Sequence, residues 1–238
     1  MTFIRLERQK GWITSMGFVY SSNVTESFQE RIIEPLFMVG RIFNDNWIFN
    51  IYIPFGYVFT NYDYVEGQQE KKSEEMYYIN NITVIPAYRF KWKSKWIEFP
   101  VAIQLPTFNK VEDDITFKKR EKIFAIEPSI NIVKTNDPIV SCISFSFNQP
   151  LWKQEKKNDI YELWNIKANS EFYFVVNENF SFLSKLGVSV GKKEEILLLE
   201  YGVIYYVTPY TEWRISLFNC YTAGEVRGSI GLFFTKFY

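Results

Sequence analysis

Residues 96–105 read Trp-Ile-Glu-Phe-Pro-Val-Ala-Ile-Gln-Leu, and apolar and polar side chains alternate along them. Every odd-numbered position from Ile97 to Leu105 is apolar, whereas Glu98 and Gln104 stand at even-numbered positions. Side chains of a β-strand point to opposite faces with a period of two. The stretch therefore predicts a strand with one apolar face and one more polar face.

The same alternation recurs along the whole chain. Each recurrence has about the 9 to 11 residues that a tilted strand needs to cross a bilayer, or more. We predict twelve strands, at residues 12–22, 31–43, 47–60, 77–92, 96–106, 122–134, 138–149, 161–176, 180–190, 196–207, 212–222 and 228–238.

The connections between these strands differ in length in a regular way. Those after even-numbered strands are short and rich in turn-forming residues, at 44–46, 93–95, 135–137, 177–179 and 208–211. Those after odd-numbered strands are mostly longer and strongly polar. Outer-membrane barrels place short turns on the periplasmic side and longer loops outside. We therefore predict an all-β protein, a twelve-stranded antiparallel transmembrane β-barrel, with residues 1–238 forming a single domain.

Composition excludes several classes of protein. Lysine plus arginine equals aspartate plus glutamate, at 27 each, which argues against a nucleic-acid partner. The chain has no histidine, on which catalytic triads and zinc sites usually depend. The acidic residues 112–114 lack the ligand spacing of a calcium-binding EF-hand loop, which favours a solvated loop. We predict that the protein is not an enzyme and uses no cofactor or metal.

The two cysteines, Cys142 and Cys220, fall on the seventh and eleventh predicted strands. In a twelve-stranded barrel, positions four strands apart are separated by about 20 Å. A disulfide needs Cα atoms within about 7 Å. We predict that both thiols are unpaired.

The tryptophans lie at predicted strand ends. Indole rings prefer the membrane–water interface, so this placement predicts two aromatic girdles, one at each end of the barrel. Five rings adjoin the N-terminus or a short turn and two flank a long loop: Trp12, Trp47, Trp92, Trp96 and Trp213, and then Trp152 and Trp164.

Charged residues interrupt the predicted strands. A charge facing hydrocarbon at mid-depth costs about 2 to 4 kcal/mol, so these residues are predicted to point inward and line the lumen. The predicted pore-lining residues are Glu34, Arg89, Lys91, Glu98, Gln104, Glu127, Asn131, Lys167, Asn169, Glu171, Lys185, Glu200 and Arg214, accompanied by Asn81 and Asn148. Two interpretations remain open. The polar interior forms a water-filled conduit that selects solutes by radius and charge, or opposite charges pair and plug the barrel.

Three short pieces carry a family resemblance. Residues 45–57 read Asp-Asn-Trp-Ile-Phe-Asn-Ile-Tyr-Ile-Pro-Phe-Gly-Tyr, a tight turn followed by an alternating strand with a proline in its middle. This piece resembles the outer-membrane β-barrel family associated with meta-pathway phenol degradation, and residues 101–107 and 176–182 are similar to further pieces of that family. After residue 107 this chain has Phe108-Asn109, where the family often has glycine and an acidic residue. The resemblance implies a transporter-like outer-membrane barrel that passes small or hydrophobic compounds.

The final strand, residues 228–238, is similar to the terminal signal read by the outer-membrane insertion machinery, with Lys236 in place of the usual apolar residue. Residues 1–10 lack the features of a secretory leader, so we expect an exported chain whose leader has been removed.

The predicted function is an outer-membrane channel or transporter of a Gram-negative bacterium. It would pass small solutes, including hydrophobic or aromatic ones, through a narrow charge-balanced lumen. The predicted partners are outer-membrane lipid and lipopolysaccharide, the insertion machinery and a small solute. Two alternatives stay open: a plugged structural or partner-binding barrel without transport, and a soluble β-barrel or sandwich that binds a lipophilic ligand.

Overall fold

A computed structural model describes residues 11–24, 28–44, 46–62, 72–79, 81–106, 123–153, 164–191, 195–222 and 225–238. The predicted acidic loop at 112–114, and most of the longer predicted loops, lie outside these residues. The described part contains no helix long and apolar enough to cross a membrane.

Strands account for almost all of the described residues. Their bounds agree closely with the predicted ones. The strands are β1 Gly11–Val24, β2 Phe28–Ile42, β3 Trp47–Tyr62, β4 Lys72–Ile79, β5 Ile82–Trp92, β6 Lys95–Leu105, β7 Ile123–Asn136, β8 Ile139–Lys153, β9 Asn165–Val175, β10 Phe180–Gly191, β11 Glu195–Thr208, β12 Thr211–Thr222 and β13 Glu225–Phe237.

The strands form one antiparallel sheet that closes on itself. Apart from β4 and β5, neighbours along the chain pair with each other, and the pairing of β1 with β13 completes the ring. Both β4 and β5 pair with β3, so together they occupy one position in the wall. The barrel therefore has twelve strand positions, and the predicted fold class is confirmed.

The predicted fourth strand is interrupted between β4 and β5. The β3 pairing changes register between Phe55↔Ile79 and Tyr52↔Thr83, which leaves one extra residue on the β4–β5 side. Pro54 lies in this gap of β3 and has no N–H to donate to the ladder. The break is therefore a bulge at a position where the proline weakens pairing.

Asparagine side chains organise two of the short turns. The Oδ1 atom of Asn44 accepts hydrogen bonds from the backbone N–H groups of Asn46 and Trp47, at 2.9 and 2.8 Å. Asn177 accepts from the N–H groups of Asn179 and Phe180 at 2.8 and 3.0 Å. Asparagine favours turns because its side chain can satisfy the backbone in this way.

Three connections after odd-numbered strand positions are shorter than predicted. Pairing of β1 with β2 continues to Val24↔Gln29, leaving residues 25–27 as the connection. The connections at 192–194 and 223–224 are also brief. The backbone pairing of these strands continues past their predicted ends, which shortens the connections.

The outer wall is strongly apolar. Large side chains such as Phe18, Phe145, Phe182, Ile215 and Leu217 are exposed on it. A soluble monomer tolerates contiguous apolar patches of only a few hundred Å². The soluble barrel or sandwich is therefore the wrong alternative, because an apolar belt around the whole barrel requires lipid.

Candidate functional site

The register of the sheet identifies the inner face of the wall. Directly opposed residues share a face, and Arg89 opposes Glu98, which in turn opposes Asn131. Lys185 opposes both Glu171 and Glu200. By the same register, each predicted pore-lining residue lies on the inner face, and Asn81 directly precedes β5. Their participation in a conduit stays a prediction.

Among the described residues, ion pairs connect strands along the inner wall, one of them across an intervening strand. The Nζ atom of Lys167 lies 2.6 Å from Oε2 of Glu127. The Nζ atom of Lys185 lies 2.8 Å from Oε1 of Glu171. The third pair is longer, with 4.0 Å between Arg214 Nη1 and Glu200 Oε1. The two lysines are therefore closely neutralised, whereas Arg214 is only loosely paired.

Polar neighbours hold the carboxylates of the first two pairs. Ser146 and Asn148 donate hydrogen bonds to Glu127 at 2.7 and 3.2 Å, so this carboxylate joins three strands. The hydroxyl of Tyr173 donates to Glu171 at 3.1 Å. Such networks stabilise charges inside a protein because each ion replaces its lost water contacts.

Sequence reasoning missed some inward charges. Glu212 is buried on the inner face, two residues before Arg214 on the same strand. The period of two would have identified it. Arg227 opposes Cys220 near the loop end and precedes the predicted start of the last strand. Glu212 and Arg227 add one acidic and one basic side chain, so the inner-face charges named here stay balanced.

Five of the predicted girdle tryptophans are exposed and a sixth lies beside an exposed ring, and their membership of aromatic girdles stays a prediction. Trp12, Trp47, Trp92, Trp152 and Trp213 are exposed on the outer wall, and Trp164 lies beside the exposed ring of Phe147, at 6.4 Å.

Trp96 is a correction to the predicted girdle. It opposes the buried Val133 on the inner face, and the Arg89 guanidinium lies 5.1 Å from its ring centroid. The physical reason is the period of two, because Trp96 shares its face with the inward Glu98.

Apolar side chains fill much of the inner face near the short-turn ends of the strands, and we call this region the apolar layer. The prediction of a polar interior is therefore incomplete. Inward residues there pack against each other in two clusters instead of contacting lipid. One cluster contains Ile13, Ile42, Ile48 and Ala87 with Met38 and Phe237, and the other contains Val133, Val140, Cys142, Tyr173, Leu183, Ile204 and Tyr206 with Trp96.

Two cavities lie along the inner wall. The larger has a volume of about 500 Å³ and adjoins β1, β2, β12 and β13. The smaller, of about 240 Å³, adjoins β3 and β5 to β9. Tyr52 and Ile48 border both cavities.

The cysteines border different cavities. Cys142 is buried beside the smaller cavity, and Cys220 is half-buried beside the larger one. Neither forms a disulfide. Among the described residues, no group of three or more potential ligands is arranged to hold a metal ion.

A closed twelve-stranded barrel with an apolar exterior and a charge-paired interior is a β-barrel of the bacterial outer-membrane class. The fold and its exterior indicate an outer-membrane location.

Comparison with solved structures agrees with this class. The fold is similar to that of an outer-membrane channel from Pseudomonas putida F1, with a TM-score of 0.74, 9% identity, and coverage of 97% of this chain and 96% of that chain. The NanC porin has a TM-score of 0.59 at 9% identity, covering 95% and 99%. A mutant of the monoaromatic hydrocarbon channel TodX has a TM-score of 0.56 at 8% identity, covering 96% and 90%.

No protein-family model matches this chain, and no curated protein matches its sequence. At such low identities the structural likeness shows the fold alone. The outer-membrane barrel is thus established, whereas the association with phenol degradation stays a prediction.

Proposed function

We propose that the protein is a passive outer-membrane channel for small solutes, including hydrophobic or aromatic ones. The observation that carries this proposal is the cavity of about 500 Å³ inside the barrel, which is large enough for a small organic molecule. Similar solved structures include channels and porins, one of them described as a monoaromatic hydrocarbon channel. This likeness also supports a non-enzymatic role.

The charges of the inner wall shape the expected selectivity. The named acidic and basic side chains are balanced, and the Lys167–Glu127 and Lys185–Glu171 pairs are closely neutralised. Pores select ions through rings of uncompensated charge. We therefore expect little overall preference between small anions and cations.

The apolar layer acts as the gate of the proposed channel. Hydrophobic constrictions close a pore by excluding water, without any need for a covering loop. Ile204 is fully buried in this layer, on the inner face of β11. Truncating it removes apolar volume from the layer, so water enters more readily and conductance rises.

A second candidate is a structural or partner-binding barrel without transport. The apolar layer favours it, because packed side chains obstruct a lumen as well as gate it. Under this hypothesis the loops bind another protein or lipopolysaccharide. Truncating side chains of the apolar layer then opens no conducting path.

Planar-bilayer conductance distinguishes the two candidates. The experiment compares the wild type, Ile204→Ala and a control, Val203→Ala, which alters the adjacent residue on the exposed outer face. The channel proposal expects discrete conductance in the wild type, a higher open probability in Ile204→Ala, and no change in Val203→Ala. If folded samples of all three proteins show no conductance and no solute uptake into liposomes, the channel proposal fails. The structural or partner-binding barrel is then the remaining candidate.

We also propose that β13 carries the signal for the insertion machinery. This strand closes the barrel by pairing with both β1 and β12. Lys236 departs from an apolar signal, but its Nζ atom lies 4.7 Å from the ring centroid of Tyr238. The ring covers part of the lysine near the interface, where long side chains can reach water. Outer-membrane lipid and lipopolysaccharide would surround the inserted barrel.

A further inference from the structure

The larger cavity combines apolar walls with one weakly partnered arginine. Leu36, Met38 and Phe218 line it, together with Phe233 and Arg214. This combination differs from the surroundings of Glu127 and Glu171, where the carboxylates face a lysine and hydrogen-bond donors at short distance. An apolar cavity with a small number of fixed polar groups is the usual form of a small-molecule site.

Two glycines hold the Phe233 ring against the wall. A Cβ atom at Gly17 would lie 2.3 Å from Phe233 Cδ1, and one at Gly231 would lie 2.6 Å from Cε2. Both positions therefore need glycine for the ring to approach the backbone so closely. The ring fills the space that side chains at Gly17 and Gly231 would take. It therefore lies against the wall, and the cavity remains open in front of it.

The guanidinium of Arg214 lies on this aromatic surface. Its central carbon is 4.2 Å from the ring centroid of Phe233, within the range of a cation–π contact. The only ion pair that it makes among the described residues is the long one to Glu200, at 4.0 Å. Its Nε–H is buried and has no acceptor among the residues that the structure describes.

An unmet buried donor is costly, and a planar guanidinium matches a carboxylate through paired hydrogen bonds. A ligand carboxylate would supply the missing acceptor. Its apolar part would lie against the phenylalanines and aliphatic residues of the cavity. A neutral alcohol of the same shape offers one weaker acceptor, and a small acid without an apolar part leaves the walls unfilled.

The charges around the two cavities also favour an anion on this side. The larger cavity is bordered by Arg89 and Arg214 against a single acid, Glu212. The smaller cavity is bordered by Glu98, Glu127 and Glu171, and the last two carboxylates are neutralised by Lys167 and Lys185. Its described lining therefore offers an anion no free cation, whereas the larger cavity presents the loosely paired Arg214.

We propose that the larger cavity binds carboxylates that carry an aromatic or aliphatic body, with the carboxylate on Arg214 and the body against Phe218 and Phe233. This deepens the proposed function by naming a substrate class for the channel, and only its transport aspect rests on that function.

The test is calorimetric titration of the full detergent-purified chain with 3-phenylpropionate, 3-phenylpropanol and propionate. We expect 3-phenylpropionate to bind at least about tenfold more tightly than the other two, since a buried charge-assisted pair adds to apolar burial. Arg214→Met should reduce its affinity to that of 3-phenylpropanol. The matched control is Arg41→Met, which removes the same charge from the outer wall beside Trp12 and should change nothing.

Equal affinities of the three compounds would overturn the proposal, as would unchanged binding in Arg214→Met or equal weakening in Arg41→Met. If Arg214→Met does not fold, Arg214→Lys retains the charge without the planar fork, and it should bind 3-phenylpropionate several-fold more weakly. Full affinity in that variant contradicts the assigned geometry. Liposome uptake of arabinose, a small neutral sugar that does not cross lipid readily without a channel, separates the two proposals. Uptake without selective carboxylate binding refutes only this site, and binding without uptake refutes only the channel.

Discussion

Arginine substitutions at Val101 and Ala102 test which face of β6 contacts lipid. Val101 lies near the middle of β6, on the same face as the exposed Phe99. Ala102 is the next residue, but it borders the smaller cavity and opposes Glu127 on β7. The two variants therefore add the same side chain at the same depth, on opposite sides of the wall.

The expected costs differ because the surroundings differ. Arginine in place of Val101 faces hydrocarbon, which lowers the free energy of unfolding by about 2 to 4 kcal/mol near the midplane. Arginine in place of Ala102 enters a cavity of about 240 Å³ beside the carboxylate of Glu127. The new pair is worth about 0 to 1 kcal/mol, so we expect little net change. Gln104→Arg, also inward, should behave similarly and shift ion preference toward anions.

Urea unfolding in lipid vesicles, followed by tryptophan fluorescence and by electrophoretic mobility, measures the difference. With a denaturant slope of about 2 kcal/mol per molar, Val101→Arg should lower the unfolding midpoint by about 1 to 2 M. Ala102→Arg should stay near the wild-type midpoint. Equal shifts in the two variants would refute the assignment of inner and outer faces, and a larger shift for Ala102→Arg would invert it.

Two further predictions concern the larger cavity and the thiols. Gly17→Ala should lower the free energy of unfolding by about 1 to 3 kcal/mol, because the new Cβ collides with the Phe233 ring at 2.3 Å. Gly228→Ala is the control, since its nearest neighbour would be 3.9 Å away, and an equally large effect there would contradict the steric explanation. In the folded protein, a small methanethiosulfonate reagent should label the half-buried Cys220 faster than the buried Cys142. Mass spectrometry of digested samples measures the two rates. Faster labelling of Cys142 would mean that the smaller cavity, not the larger one, is the more accessible.

The architecture could be predicted from the sequence because it depends on local patterns. The period of two in residues 96–105 arises from the geometry of a single strand. Asn44 and Asn177 mark turns because their side chains bond to the backbone only two and three residues away. Neither signal requires knowledge of distant parts of the chain.

The inner face was only partly predictable, because apolar residues that face the lumen and apolar residues that face lipid look alike in sequence. The run Leu232-Phe233-Phe234 contains no polar residue to show which side faces lipid. Only the pairing of β13 with β1 and β12 places Phe233 inward and Phe234 outward beside Trp213. For the same reason, the apolar layer could not be predicted, because the sequence reasoning assigned apolar residues to the lipid-facing side.

The sequence by itself therefore determined the strands, the turns and the two-faced wall, each of which depends on residues close together along the chain. Tertiary structure decided which inward side chains meet. The approach of Arg214 to Phe233, and of Arg89 to Trp96, depends on register between neighbouring strands. The closed wall also brings strands distant in sequence around one narrow lumen, where residues that would otherwise face lipid or water pack against each other.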